Sequence, residues 1–274
     1  MKVTAESLSE NFMIGQERAQ ATILATRQRG TRSVILPISR QYRADKMLDV
    51  PRLRSKFATD TLWFKKKTLK SNVASQLYTH KCGFNIPYHM TSANGENVGN
   101  SLCDFINDYG APDHLTYDGA AVQVGRKTKF VDTLRRNNIR SHVSAPRRPN
   151  ENPAEASIRD VKKRWYRIQH KRNIPDRLCD YGISWVCETG NVTASGSRYA
   201  HDRTPLEKIT GETPDITEYM DFTFYDWVMF KSNGGVDSPE LGRWLGVSHR
   251  IGPLLSYWIL PALGSQSRAI PFNG

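Results

Sequence analysis

The stretch NPAEASIRDVKKRW, residues 152–165, decides how the rest of this chain is interpreted. Asn152 and Pro153 suit the N-cap and the first position of a helix, and Glu155 follows at the third position. At about 100° per residue, Glu155 shares one stripe of that helix with Arg159, Lys162 and Tyr166. A neighbouring stripe carries the apolar residues that would pack on a sheet, namely Ile158, Val161, Trp165 and Ile168. Glu155 can therefore cap the helix, bind a metal ion beside a basic surface, or do both.

Positive charge is concentrated around this helix. The chain of 274 residues has a formal net charge of +12, and residues 126–172 hold fifteen basic residues against four acids. Residues 205–274 are the reverse, with five basic residues and eight acids. This distribution favours a polyanionic partner, nucleic acid before an anionic membrane surface, and the alternative is a solvated face. The candidate DNA-binding residues are Arg147, Arg148, Arg159, Lys162, Lys163 and Tyr166.

Several classes of protein do not fit the sequence. No stretch approaches the roughly 18 apolar residues of a membrane span, so we expect no membrane partner. The first 25 residues carry Glu6, Glu10, Glu17 and Arg18 and do not resemble a signal peptide. The four cysteines never form a C-x-x-C pair. We therefore expect reduced thiols inside a cell, with no disulfide framework and no zinc knuckle.

The first part of the chain predicts two short helices and a linker. Residues 4–26 suggest helices on either side of a Met13-Ile14-Gly15 turn, a pattern that fits a DNA-reading helix-turn-helix or a plain packing unit. Thr4 suits an N-cap, but Ser7 occupies the position where a capping box has Glu or Gln. Residues 27–56 are rich in Arg, have little helix or strand period, and predict a linker.

The middle of the chain predicts a mixed α/β domain with the sheet in the centre. Its elements alternate as strand, strand, helix, strand, helix, strand and helix. The predicted ranges are 58–64, 74–90 with an interruption near Gly83, 95–109, 114–117, 130–137, 139–143 and the basic helix after a Pro-rich loop at 145–153. After about residue 205, aromatic residues interspersed with polar residues and glycines suggest a small β-rich module.

Three carboxylates lie at the ends of these elements. Asp60 lies in the first strand, Asp118 follows a later strand, and Glu155 begins the basic helix. Each has an ordinary explanation alone: a surface residue, a turn residue and a helix cap. Together they form the oxygen-rich arrangement that suits Mg²⁺ or Mn²⁺, and two such ions about 4 Å apart can promote displacement at a phosphodiester. We predict that all three are catalytic and bind metal.

These residues resemble a known family. Asp60, Asp118 and Glu155, separated by 58 and 37 residues, resemble the Asp-Asp-Glu triad of retroviral and retrotransposon integrases. LTYDGA at 115–120 and SAPRRPNENPAEASIRDVKKRW at 144–165 resemble that family's strand end, loop and helix. TPLEKITGETPDITEYMDF at 204–222 and LGRWLGVSHRIGPLLSYWILPA at 241–262 resemble segments of copia-type retrotransposon polyproteins.

The sequence also departs from the family. Gly119 and Ala120 replace an Asn-Gly pair, and Ala156 occupies a position where Arg is frequent. No His precedes His80 and no Cys precedes Cys82, so we expect residues 1–79 to contain no counterpart of the family's N-terminal His-His-Cys-Cys zinc module.

The resemblance implies an RNase H-like mixed β-sheet flanked by helices, with an N-terminal helical segment and a small C-terminal β-rich module. The implied domains are a helical segment and linker at 1–35, a catalytic core at 50–200 and the β-rich module at 205–274. The implied activity is metal-dependent 3′-end processing and strand transfer of element DNA into target DNA, by a homo-oligomer in the nucleus. At the positions that contact DNA ends in the family, this chain has Arg159 and Lys162.

Two other functions are compatible with the same residues. Another RNase H-like nuclease would share the acids and add a fourth carboxylate or a His late in the core, for which Glu188 is a candidate. An inactive relic of an integrase would keep the basic helix and hold DNA without chemistry.

Overall fold

A mixed β-sheet with helices on both faces forms the centre of the computed structural model. The model describes residues 3–29, 43–45, 50–119, 128–144, 152–196, 199, 202–231, 239–249, 256–262 and 268–271. The helices are α1 (Ala5–Phe12), α2 (Gln16–Ala25), α3 (Gly95–Tyr109), α4 (Lys129–Arg136), α5 (Pro153–Arg172), α6 (Cys179–Val192) and α7 (Pro205–Thr210). The strands are β1 (Arg43–Asp45), β2 (Val50–Trp63), β3 (Ala74–His80), β4 (Asn85–Met90), β5 (Ala111–Tyr117), β6 (Arg140–Val143), β7 (Trp227–Phe230), β8 (Glu240–Val247), β9 (Ser256–Pro261) and β10 (Arg268–Pro271).

The central sheet has the strand order β4-β3-β2-β5-β6, and β1 pairs with the start of β2. Strands β2, β3 and β4 form an antiparallel meander. Strands β5 and β6 join it in parallel, so their connections cross over through helices, as parallel strands require. The predicted α/β fold class, a mixed sheet flanked by helices, is confirmed.

The two faces of the sheet belong to different hydrophobic clusters. On one face, Leu62 and Leu77 pack in a cluster with Trp165 of α5. On the other, Phe57 and Tyr78 pack in a cluster with Phe105 of α3. This alternation along β2 and β3 is the period of two that a strand imposes, and it places Asp60 on the same face as Leu62 and α5.

The two N-terminal helices are confirmed. Thr4 caps α1, and Ser7 completes a capping box with it, since the Ser7 N–H donates to Thr4 Oγ1 (3.2 Å) and the Thr4 N–H donates to Ser7 Oγ (3.2 Å). A serine hydroxyl can accept the same bond as the usual Glu or Gln, which is why the sequence criterion missed this cap. Phe12 packs edge-on against Trp185, which attaches the pair to the rest of the fold.

The predicted linker at 27–56 is wrong in its last part. Strand β2 begins at Val50 rather than near residue 58, and β1 pairs with its first residues. Leu53 and Phe57 are buried while Arg54 and Lys56 are exposed. The outward cations conceal the strand period, because only two large apolar residues mark the inner face.

Helix α6 was not predicted from the sequence. It is buried on most sides, so it lacks the polar face that gives an amphipathic period. A Cβ placed on Gly182 would come within 1.9 Å of the Trp165 ring, so only glycine permits this approach of α6 to α5. The same glycine lowers the apparent helix propensity and hides the helix in the sequence.

The C-terminal part forms a second, antiparallel sheet with the order β10-β9-β8-β7. This is the predicted small β-rich module. Its Trp244 and Tyr257 join the hydrophobic cluster on the α5 face of the central sheet. No helix in the described ranges combines the length and apolar character needed to cross a bilayer.

Candidate active site

Asp60 and Asp118 come together through the pairing of two parallel strands. Thr59 of β2 is the register partner of Tyr117 of β5, so the next residue of each strand follows at the same level. Neighbouring strands lie about 4.8 Å apart. The half-buried Asp60 and the exposed Asp118 therefore emerge side by side where β5 ends.

Glu155 is brought to the same place by Asn152. The Asn152 side chain is 2% exposed. Its Oδ1 accepts the Ala154 N–H (3.0 Å) and caps α5, while its Nδ2 donates to the Thr59 carbonyl (3.3 Å). One side chain thus begins the helix and fixes that beginning to the residue before Asp60.

The cap and the candidate metal ligand are separate residues. The predicted N-cap at Asn152 and the proline at the first helical position are confirmed. Glu155 is exposed, and among the described residues no donor hydrogen-bonds its carboxylate. It favours the positive end of the helix dipole, yet its oxygens face outward and are available to a ligand.

The strand register and the Asn152 contacts place the three acids in one region, where their charges act on the pKa of Asp60. Burial is the largest cause of a raised pKa, and the N–H of Thr61, which donates to Asp60 Oδ1 (2.7 Å), opposes it. The charges of Asp118 and Glu155 raise the pKa further, and the ammonium of Lys162 lowers it. The positions of the three acids at the ends of predicted elements suggested this grouping, and the structure places Lys162 within electrostatic reach of Asp60 as well.

A polar network on the opposite face of the sheet holds β2 at Asp60. Gln76 is fully buried, its Nε2 donates to Thr59 Oγ1 (2.8 Å), and its Oε1 accepts from Thr61 Oγ1 (2.9 Å). Thr59 Oγ1 in turn donates to the Leu77 carbonyl (2.8 Å). The residues on both sides of Asp60 are therefore fixed. Sequence reasoning missed Gln76. The available signal was an amide side chain within a predicted strand, which must find hydrogen-bond partners if the strand is buried.

The cations of α5 are divided between two environments. Arg159, Lys163 and Tyr166 are exposed, Lys162 is half-buried beside Asp60, and Lys65 Nζ lies 4.5 Å from the centroid of the Tyr166 ring. Arg164 is turned inward, where its Nη1 donates to the Val186 carbonyl (3.3 Å). The other two DNA-binding candidates, Arg147 and Arg148, lie outside the described residues.

The three carboxylates are suitable ligands for a divalent cation, although their oxygen atoms do not converge on one point in this structure. Three carboxylates supply the oxygen atoms that Mg²⁺ and Mn²⁺ prefer. Asp60 and Asp118 each point an oxygen at the next backbone N–H, that of Thr61 and that of Gly119 (both 2.7 Å). Within the described part of the chain, no group of three His, Cys, Asp or Glu residues is close enough to hold a metal ion. Binding would require these side chains to turn toward one another.

Glu188, the candidate fourth carboxylate, belongs to another part of the molecule. Its Oε2 lies 3.5 Å from His249 Nε2. It lines a cavity of about 90 Å³ with His89, Asp180 and Trp258. Glu188 is not among the groups that shift the pKa of Asp60. The described geometry therefore gives it no place beside the three acids.

The solved structures that are similar to this chain include three of retroviral integrases or their assemblies. A chain of the simian T-cell lymphotropic virus intasome, solved with the PP2A regulatory subunit B56 gamma, is 18% identical with a TM-score of 0.46, covering 80% of this chain and 79% of that one. The catalytic core domain of BIV integrase is 15% identical with a TM-score of 0.44, covering 57% and 93%. The HTLV-2 integrase catalytic core domain, in a dimeric form with magnesium, is 13% identical with a TM-score of 0.43, covering 58% and 98%. The sequence matches no family model and no curated protein.

Proposed function

We propose that this chain is the integrase of a copia-type retrotransposon, which joins the 3′ ends of the element's DNA to a target duplex with Mg²⁺ or Mn²⁺ as cofactor. The observation that carries the proposal is geometric: the register of β2 and β5 places Asp60 beside Asp118, and the Asn152 bond to the Thr59 carbonyl brings the start of α5, with Glu155, to the same place. A basic helix begins at that site, which supplies a surface for the phosphodiester backbone.

Asp60, Asp118 and Glu155 would hold the cations in this proposal. Bound there, two divalent cations supply activation of the attacking oxygen and charge stabilisation of the leaving oxygen. Asn152 and Gln76 keep the carboxylates in place, which is the positioning that phosphoryl transfer depends on. Lys162 offsets part of the negative charge that the three carboxylates bring together.

The reaction proceeds in two displacements at phosphorus. In the first, the oxygen of water attacks the scissile phosphorus, and the 3′ oxygen of the element strand leaves and takes a proton. In the second, that 3′-hydroxyl loses its proton and its oxygen attacks a phosphodiester phosphorus of the target. The target strand's own 3′ oxygen leaves and takes a proton, so one phosphodiester bond forms as another breaks. Arg159, Lys163 and Tyr166 would contact the DNA beside the acids, and we extend this role to Arg147 and Arg148.

The proposal includes partners and place of action. The substrates are the double-stranded ends of the element and the target duplex, and joining two ends calls for a homo-oligomer. An enzyme that inserts DNA into a eukaryotic genome acts in the nucleus. The domain limits at 1–35, 50–200 and 205–274 are part of the same proposal.

A strand-transfer assay tests the proposal. The protein is incubated with a short duplex carrying the element's ends and a supercoiled plasmid, in Mg²⁺, Mn²⁺ or EDTA, beside the Glu155→Gln variant. We expect joined product with either metal and none in EDTA or with the variant. Cleavage of an RNA–DNA hybrid without joining would assign the chain to the other nuclease class. Equal DNA binding by both proteins with no product would identify an inactive relic.

A further inference from the structure

A second basic surface lies at the opposite end of β2 from the three acids. Two broad clefts, of about 730 and 520 Å³, share Asp113 and His114 in their linings and so form one continuous surface. We call it the far basic face and define it by its cations, which are Arg52, Arg54, Lys56, Lys81, Arg135, Arg140 and Lys208. At about 3.3 Å per residue along the strand, Lys56 lies roughly 13 Å and Arg52 roughly 26 Å from Asp60.

The far basic face has little negative charge of its own. Among the described residues that line the two clefts, Asp113 is the one carboxylate. It lies 3.4 Å from Arg52, whose guanidinium also donates to the carbonyls of Asn137 and Asn138. The other six cations are exposed, and within the described ranges no ion pair is recorded for Arg54, Lys56 or Lys208.

The buried His80 reports the positive potential of this surface. Burial is the main reason that its pKa falls to about 4, and the charges of Lys81 and Lys208 lower it further. The ring also has a structural task, because its Nδ1 accepts the Cys82 N–H (3.2 Å). Lys81 Nζ lies 4.3 Å from the centroid of the Tyr199 ring, so an aromatic face accompanies the cations.

The extent of the surface indicates the kind of partner. The cations come from β2, the β3–β4 turn, α4, β6 and α7, which is a wider spread than one small anion can contact. Cations at this density repel one another, and a polyanion removes that cost by replacing many counterions at once. A nucleic-acid backbone, with one negative charge per about 1.7 Å of duplex axis, matches such a surface.

We propose that the far basic face binds the phosphodiester backbone of a second nucleic-acid segment, separate from the DNA held beside Asp60, Asp118 and Glu155. This binding goes beyond the proposed catalysis, because it does not require the chain to cut or join DNA. It would let one molecule hold two nucleic-acid segments at opposite ends of its central sheet.

The test measures the salt dependence of duplex binding in EDTA, where no metal-dependent chemistry occurs. Fluorescence anisotropy with a 20-base-pair duplex would compare the wild-type protein with the triple variant Arg54→Ala, Lys56→Ala, Lys208→Ala. Each lost phosphate contact removes about 0.9 from the slope of log K against log salt, so we expect the slope to fall by about 2 to 3. All three side chains are exposed, and their removal should leave the melting temperature unchanged.

A matched control removes the same charge elsewhere. Lys67→Ala, Arg177→Ala and Lys231→Ala change three exposed cations that lie outside α5 and line neither cleft, and this triple variant should keep the wild-type slope. Combining the far-face triple variant with Arg159→Ala and Lys163→Ala should weaken duplex binding more than either set of substitutions alone, because each surface binds nucleic acid. Equal slopes for the two triple variants would overturn the proposal. So would unchanged duplex binding accompanied by lost binding to anionic vesicles.

Discussion

The neighbours of the Asp60 carboxylate act on its pKa in opposite directions. Burial and the charges of Asp118 and Glu155 raise its pKa, while the Thr61 N–H and the Lys162 ammonium lower it, and the first group prevails. The ionised form is therefore less stable in the folded chain than in the unfolded one. An unfavourably placed carboxylate of this kind is typical of a functional site such as a metal site, where a bound cation would stabilise the ionised form.

Replacement of Asp60 with Asn should raise thermal stability in EDTA. Because the pKa of Asp60 is higher in the folded chain than in the unfolded chain, ionisation of Asp60 lowers the free energy of unfolding. This destabilisation is absent below the unfolded pKa and complete once the pH exceeds the folded pKa. We therefore expect Asp60→Asn to melt higher than the wild type at pH 7, and the difference to vanish near pH 3. Thermal denaturation monitored by circular dichroism across that pH range measures it. Asp160→Asn, which changes an exposed carboxylate on α5, is the control and should change the melting temperature little. A lower melting temperature for Asp60→Asn at pH 7 would contradict the assignment.

The individual site residues were predictable to different degrees. The spacing of Asp60, Asp118 and Glu155 identified them as candidates, because family resemblance preserves order and separation. Their adjacency depends on the β2–β5 register, which no local pattern encodes. Gln76 escaped notice because its partners, Thr59 and Thr61, lie on a different strand.

At the scale of elements, the site depends on how α5 is attached to β2. The Asn152 side chain makes both the cap bond to Ala154 and the bond to the Thr59 carbonyl. A further link joins the hydroxyls of Ser157 and Thr79 (2.8 Å). The first turn of α5 is therefore fixed to two strands, and Glu155 is positioned by backbone and amide contacts.

Removal of the Asn152 side chain should disturb the site more than the fold. Asn152→Ala loses the cap, which costs about 1 kcal/mol, and frees the start of α5 from Thr59. We expect strand transfer to fall at least about tenfold, as for other residues that orient metal ligands, with an unchanged salt slope for DNA binding. Asn152→Ser keeps an oxygen that can cap α5 but loses the side-chain amide that donates to the Thr59 carbonyl. This variant should therefore recover stability without recovering strand transfer. Full joining activity in Asn152→Ala would remove this residue from its positioning role.

The helices and strands were largely predictable from the sequence where one face of the element is polar and the other apolar. Helix α3 has the predicted limits, and the hairpin of β3 and β4 turns at Gly83, whose φ of +97° favours glycine. Prediction failed at β2 and α6 for opposite reasons. Outward cations concealed the start of β2, whereas burial on most sides removed the period of α6.

At the scale of the whole molecule, Trp185 connects regions that the sequence presents as separate. Its ring contacts Phe12 of α1, Tyr219 and Phe224 of the segment after α7, and Trp244 of β8, with centroid distances between 5.0 and 6.1 Å. The N-terminal helices, the α5–α6 face and the C-terminal sheet thus share one hydrophobic cluster. Such long-range packing could not be read from composition, since each segment looked complete alone.

Charge is also organised across the whole molecule. One basic surface follows α5 from the three acids, and the far basic face lies at the other end of the sheet. The first surface lies within the basic run at residues 126–172, whereas the second combines two cations of that run, Arg135 and Arg140, with cations far away in the chain. Only the packing of α7 near β2 brings Lys208 to the same cleft as Arg54 and Lys56.

The central claim is that Asp60, Asp118 and Glu155 form one divalent-metal site, and Mn²⁺ binding tests it most directly. Electron paramagnetic resonance measures free aqueous Mn²⁺ as the wild-type protein and the Asp60→Asn, Asp118→Asn and Glu155→Gln variants are titrated at pH 7. We predict saturable binding by the wild type that each of the three substitutions weakens severely, because every ligand belongs to the same site. Equal Mn²⁺ binding by all four proteins, or no binding by the wild type, would contradict the claim.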